Sequence, residues 1–154
     1  MAVEVGAKAP DFTLPNQDRE NVTLSDELKN GPVVLAFFPA AFSSVCQNEM
    51  CTFRDSASEL GNTGRVLGVS TDTFFALKAW GDQHKLNFPL LSDYNKDVIR
   101  KYGVVNPDMI GLKDIAKRAV FVIDKDGVVR HREVLDDARN EPDYNKIKQA
   151  IAAL

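Results

Sequence analysis

The stretch Val33-Val34-Leu35-Ala36-Phe37-Phe38-Pro39-Ala40-Ala41-Phe42-Ser43-Ser44-Val45-Cys46 decides the fold. Apolar residues run unbroken from Val33 to Phe38 between two prolines. A strand buried on both faces reads this way. Ser43 and Ser44 then signal a helix start. Ser44-Val45-Cys46-Gln47 fits the capping-box pattern, with a hydroxyl at the cap and Gln three residues on. Cys46, Met50, Phe53, Ala57 and Leu60 recur at steps of four and three, which is one face of a helix. Gly61 and Gly64 close it. A buried strand that feeds directly into a helix with a cysteine in its first turn is the centre from which the rest is read.

Upstream, Phe12-Thr13-Leu14 and Val22-Thr23-Leu24 flank the turn-prone Pro15-Asn16-Gln17-Asp18 and read as a hairpin. Ser25 is expected to cap a short helical turn, Asp26 to Asn30, ended by Gly31 and Pro32. Downstream, Val66-Leu67-Gly68-Val69 is a second buried strand. Thr71 or Asp72 is expected to cap a helix running to about His84. Phe88-Pro89-Leu90-Leu91 reads as an edge strand, where proline is tolerated. Asp97 to Tyr102 is a short helix stopped by Gly103. Ala119 to Ile123 and Val128 to Leu135, joined by Asp124-Lys125-Asp126-Gly127, form a hairpin. Pro142 opens a last helix with an apolar stripe of Tyr144, Ile147, Ile151 and Leu154. Strand, helix, strand, helix, hairpin and helix make an α/β domain with a mixed sheet flanked by helices. The early strand–helix–strand unit is a right-handed parallel crossover. This is the thioredoxin-like pattern with an N-terminal β-hairpin extension, and residues 1–154 read as a single domain.

The composition agrees with such a domain and excludes several classes of function. The chain has 154 residues, 44% of them hydrophobic and 27% charged, with a net charge of -3. No basic excess exists to neutralise phosphates, so no nucleic-acid partner is expected. The longest apolar run falls well short of the roughly 20 residues of a membrane span, and the start lacks a basic, apolar leader. A cytoplasmic setting and no membrane partner are therefore expected. The cysteines are Cys46 and Cys51 alone. A close pair without others raises a redox or metal question rather than a disulfide scaffold.

Cys46 falls in the first helical turn, where free N–H groups and the positive end of the helix dipole favour an anionic sulfur. The thiolate is the nucleophilic form of cysteine. A small buried hydrophobe is the competing reading, since most free cysteines are that.

The surroundings of Cys46 carry a resemblance. Pro39, then three residues, Ser43, then two residues, and Cys46 is similar to the peroxiredoxin signature of Pro, Thr or Ser, and the peroxidatic Cys. Further stretches extend the likeness over nearly the whole chain: Gly6 to Leu14, Phe88 to Asp93, Tyr102-Gly103-Val104 and Arg118 to Asp124. The resemblance implies a thiol-dependent peroxidase acting on hydrogen peroxide and organic hydroperoxides. In it, Pro39 shields the thiol, the Ser43 hydroxyl contacts peroxide and sulfur, and Arg118 holds the thiolate and polarises substrate. Glu49 braces Arg118. The residues themselves leave other readings open: Pro39 as a strand end, Ser43 as a helix cap, Arg118 as a surface residue beside Lys117, and Glu49 as a solvated helix position.

Cys51 follows Cys46 by five residues. In an intact helix that step separates the Cα atoms by about 8.6 Å, and a disulfide needs them within about 6.8 Å. The bacterioferritin-comigratory, or peroxiredoxin Q, subgroup often places a resolving cysteine at this spacing. That likeness implies a Cys46–Cys51 disulfide formed after the helix unwinds, then reduced by a thioredoxin-like or glutaredoxin-like partner. Ala41-Phe42-Ser43 and Cys46 to Met50 look more like the one-cysteine alkyl hydroperoxide reductase E type, in which an external thiol resolves Cys46. A helix position without redox role is the third reading of Cys51. Among rival functions, a metal site would have Cys46, Cys51, His84 and His131 as soft ligands, at a spacing uncommon for zinc; the histidines read as surface residues. A dithiol oxidoreductase would need Cys-x-x-Cys, which is absent. A non-catalytic sensor or chaperone on the same fold is the last rival. No cofactor or metal is expected. Trp80 reads as core, although it resembles a tryptophan that the family places near a dimer surface, and a monomer or a homodimer built side by side across the active-site region is expected.

Overall fold

A computed structural model describes residues 3–56 and 65–154 of the chain. Its centre is a five-stranded mixed sheet of β3 (Val33–Phe37), β4 (Arg65–Ser70), β5 (Leu90–Ser92), β8 (Arg118–Ile123) and β9 (Val129–Leu135). The spatial order is β5-β4-β3-β8-β9. β3, β4 and β5 run parallel; β8 is antiparallel to β3 and β9 to β8. Every residue of β3 is buried, as its unbroken apolar run requires.

Alternation along the strands sorts two cores. Val33, Leu35, Phe37, Leu67, Val69, Phe121 and Ile123 face one side. There they pack on Val98, Ile99 and Tyr102 of α4 (Asp97–Tyr102) and on Leu14, Val22 and Leu24. Those last residues belong to β1 (Thr13–Pro15), β2 (Asn21–Thr23) and α1 (Leu24–Glu27), the expected N-terminal hairpin and its short helix. Val34, Ala36, Phe38, Val66, Val120 and Val122 face the other side. They pack on Cys46, Met50 and Phe53 of α2 (Ser44–Asp55), Leu77 and Trp80 of α3 (Phe74–His84), and Ile147 and Ile151 of α5 (Tyr144–Ala152). Full burial of side chains of this size stabilises a fold by roughly 1.5–3 kcal/mol each, so both faces matter. Trp80 is wholly buried and belongs to this core.

Several local expectations are corrected. Thr23, not Ser25, holds the cap position of α1 and makes no side-chain bond there. Ser25 gives its N–H and hydroxyl to the Asp11 carboxylate, each at 2.9 Å, so a residue from outside the helix does the capping. The capping box at Ser44 does not form, because Ser43 is the cap residue and its hydroxyl points elsewhere. Thr73, not Thr71 or Asp72, caps α3 by accepting the Ala76 N–H at 3.3 Å. Leu154 is half exposed and leaves the stripe of α5 to Ile147 and Ile151. His84 and His131 are half-buried rather than on the surface. Ala57, Leu60, Gly61 and Gly64 lie outside the described residues. The structure also contains a hairpin absent from the sequence reading, β6 (Val105–Met109) and β7 (Leu112–Ala116), which turns at Ile110 and Gly111.

Candidate active site

The topology brings three chain segments to one end of the sheet. β3 runs out at Phe37, and the chain passes Phe38 and Pro39 before entering α2 at Ser44. β8 begins at Arg118 in antiparallel register, with Ala119 opposite Phe37. Arg118 therefore emerges level with Phe38, beside the start of α2. Glu49 follows Cys46 by three residues on the same face of that helix, one turn deeper.

Arg118 gathers the group. Its Nη2 donates to Cys46 Sγ at 3.3 Å, and its Nη1 donates to Glu49 Oε1 at 2.8 Å. Nη2 and Nε also donate to the Ala138 carbonyl at 2.9 and 3.3 Å. A planar guanidinium can serve all three partners at once, which a lysine ammonium cannot. Cys46 and Glu49 are 0% exposed and Arg118 is 1% exposed. The surface-residue reading of Arg118 and the solvated reading of Glu49 are thus corrected: both charges are buried and paired. Burial pushes the Glu49 carboxyl up to about 7, against the pull of Arg118 and with help from Glu141 and Glu133. Burial pulls Arg118 down, but Glu49 and Cys46 outweigh it and hold the guanidinium above its ordinary value. Arg118 thus sets a fixed positive charge and an N–H donor at the Cys46 sulfur.

Pro39 is buried beside this group, and Ser43 is half-buried at the helix start. The Ser43 hydroxyl donates to the Ala40 carbonyl at 3.0 Å, which leaves its lone pairs free to accept. Pro39, Ser43, Val45 and Arg118 line an open cleft of about 790 Å³, together with a mixed wall of Asn106, Asp108, Met109 and Ile110. That wall comes from the β6–β7 hairpin. Ile110 is 93% exposed and sits at φ 47°, in the left-handed region that β-branched residues avoid.

The structure thus brings Pro39, Ser43, Cys46, Glu49 and Arg118 together and sets Cys51 apart. Cys51 is half-buried further along α2, and both thiols are free. Because α2 is continuous from Ser44 to Asp55, the helical separation of about 8.6 Å between Cα atoms applies. Sequence reasoning missed the Ala138 carbonyl and the Met109–Ile110 wall. The first is a backbone group with no sequence signal. The second was signalled only by a proline-led, mixed segment that suggests no element. Among the described residues, no three His, Cys, Asp or Glu side chains gather as a metal-binding group.

Comparison with known proteins agrees with this geometry. Residues 5–132 match the AhpC/TSA family. A bcp peroxiredoxin of Coxiella burnetii is 41% identical over 84% of this chain and 87% of its own. Alkyl hydroperoxide reductase E of Mycobacterium tuberculosis is 38% identical over 86% of each chain. The crystal structure of peroxidoxin BcpB from Mycobacterium tuberculosis superposes with a TM-score of 0.89 at 32% identity, covering 99% of this chain and 98% of that one. With a thioredoxin-like mixed sheet and a family match over most of its length, the chain belongs to the AhpC/TSA family and is a peroxiredoxin, a thiol-dependent peroxidase.

Proposed function

We propose that Cys46 is the peroxidatic residue, and that Pro39, Ser43, Arg118 and Glu49 form its surroundings. The observation that carries this is the guanidinium of Arg118 at 3.3 Å from the Cys46 sulfur, with both groups shut off from water. The Cys46 thiolate attacks the terminal oxygen of the hydroperoxide. The S–O bond forms as the O–O bond breaks, and the leaving oxygen departs with the electron pair and takes a proton. Sulfur is oxidised by two electrons to sulfenic acid. Arg118 is a donor already aimed at the place where that charge develops, the kind of preorganisation that carries large rate factors, and the Ser43 oxygen, its proton given to the Ala40 carbonyl, accepts from the hydroperoxide O–H. Pro39 narrows access to the oxidised sulfur. Glu49, with the Ala138 carbonyl, fixes the guanidinium.

Hydrogen peroxide and organic hydroperoxides are the substrates. A cleft of about 790 Å³ is far larger than hydrogen peroxide needs, and its Met109–Ile110 wall suits an apolar tail. Cys51 is the resolving residue. After α2 unwinds at its start, the Cys51 thiolate attacks the Cys46 sulfur, the S–S bond forms, and hydroxide leaves to become water. A thioredoxin-like or glutaredoxin-like partner then supplies two electrons and returns both thiols. In the second reading Cys51 is idle and an external thiol resolves Cys46; the intact helix between the two cysteines is what favours it.

Peroxide turnover with hydrogen peroxide and cumene hydroperoxide, in wild type, Cys46→Ser and Cys51→Ser, tests the proposal. Cys46→Ser loses consumption of both peroxides. Cys51→Ser still reacts with one equivalent but stalls when thioredoxin is the reductant. Mass spectrometry of oxidised wild type decides between the two readings: a lasting sulfenic acid without a Cys46–Cys51 bridge overturns the resolving role.

A further inference from the structure

Before α2 the chain turns through Ala40-Ala41-Phe42-Ser43, and three independent features describe how that turn is held. The helix start has no side-chain cap. Ser43 occupies the cap position but its hydroxyl returns to the Ala40 carbonyl at 3.0 Å, so the first free N–H groups of α2 receive nothing from it. Phe42 sits at φ 68° and is 54% exposed. That is the left-handed region, which a bulky residue keeps only where its surroundings impose it. Finally, the turn is pinned from another element. Asp72, just past β4, accepts the Ala41 N–H at 2.8 Å through Oδ2. The same oxygen accepts the Ser70 hydroxyl at 2.7 Å, and the Asp72 carbonyl accepts the Ser92 hydroxyl at 2.6 Å. Asp72 is thereby fixed to the ends of β4 and β5, with its carboxylate aimed at the turn.

We infer that Asp72 is a positioning residue, a latch on the strained Phe42 turn that sets how readily the first turn of α2 unwinds and so how fast oxidised Cys46 meets a resolving thiol. The second half of this statement rests on the reading of Cys51 as resolver; the latch does not. Two forms of the segment are needed for two steps. The closed form holds Cys46 under Arg118 for attack on peroxide. The open form lets Cys46 and Cys51 come within bonding reach. Strain at Phe42 and the uncapped helix start favour opening. The charge-assisted bond from the Ala41 N–H to Asp72 opposes it.

Asp72→Ala and Asp72→Asn test the inference by backbone hydrogen exchange of the reduced protein and by single-turnover kinetics. Loss of one such hydrogen bond shifts the opening equilibrium by about tenfold or more. Asp72→Ala should raise exchange at residues 47–50, whose N–H groups bond back to the first turn of α2, by about that factor and leave the sheet as protected as in wild type. Asp72→Asn, whose side-chain oxygen still accepts, should give a smaller rise, and it carries the test if the alanine variant does not fold. After one equivalent of hydrogen peroxide, the Cys46–Cys51 bond should form faster in proportion, while oxidation of Cys46 slows. A general loss of structure would slow both. Unchanged exchange at 47–50, or a rise spread evenly over the sheet, overturns the latch. Raised exchange at 47–50 with no bridge in any variant or in wild type upholds the latch and overturns the role of Cys51.

Discussion

Burial strips water from both charges of the Glu49–Arg118 pair, and only part of that loss returns as attraction between them. Burial pushes the Glu49 carboxyl up to about 7 despite Arg118, and its Oε2 has no hydrogen-bond partner among the described residues. In the unfolded chain the same group titrates near 4.5. Between those values the folded state keeps a proton that the unfolded state has lost, so raising the pH through this window removes stability. Glu49→Gln retains an acceptor for Arg118 and abolishes the titration. The melting temperature of wild type should therefore fall relative to that of Glu49→Gln as the pH rises from about 5 to about 8. Parallel curves would assign the titration elsewhere. Arg118 makes the complementary case. A lysine there cannot reach Cys46, Glu49 and the Ala138 carbonyl together. Arg118→Lys should lower the second-order rate with hydrogen peroxide by about 10²–10³ and leave the fold intact, which stopped-flow oxidation and a thermal melt measure together.

Two elements, α2 and the β6–β7 hairpin, differ sharply in how far they can be read from sequence. The apolar run of β3 and the four-and-three spacing of Cys46, Met50 and Phe53 reflect burial on both faces of the sheet, so strand and helix are plain. The cap of α2 is not. A serine hydroxyl near a helix start has several acceptors and donors in reach, and here the Ala40 carbonyl wins over the helix N–H groups. The hairpin escapes because its residues are mostly exposed or half-buried, so no periodicity marks it. Its turn also sets an isoleucine where glycine or asparagine is usual. That choice predicts a trade between stability and function. Ile110→Gly removes a left-handed β-branched residue and an exposed apolar side chain, and should stabilise the protein by about 1 kcal/mol in urea unfolding. If Ile110 contacts the substrate tail, the same variant should shift the ratio of kcat/KM toward hydrogen peroxide and away from cumene hydroperoxide. An unchanged ratio would remove the hairpin from substrate selection.

Across the whole molecule, the general plan was legible because hydrophobic patterning reports burial, and the early parallel crossover with its later hairpin leaves few ways to stack. The pairing at the site was legible only through the likeness of Pro39, Ser43, Cys46 and Arg118 to a known motif. Nothing local in the sequence says that Arg118 lies 72 residues on yet 3.3 Å from the Cys46 sulfur; antiparallel pairing of β8 with β3 does that. The same long-range packing lets a single side chain report on the catalytic cycle. Trp80 is the one tryptophan of the chain. It lies in α3, fully buried, with its ring 5.2 Å from that of Phe38 and 6.4 Å from that of Phe42. Phe42 belongs to the turn that has to release if α2 unwinds as proposed, and its ring lies against the indole at a tilt of 51°. Opening should admit water to Trp80 and move its emission to longer wavelength. Peroxide at one equivalent should then produce two phases in stopped-flow fluorescence. A first phase, proportional to peroxide concentration, follows oxidation of Cys46. A second, independent of peroxide, follows unwinding and bridge formation, and a dithiol reverses it. Cys51→Ser should keep the first phase and lose the stable red-shifted end state, because without a bridge the turn closes again over Trp80. A red-shifted end state in Cys51→Ser equal to that of wild type would separate the opening of α2 from disulfide formation.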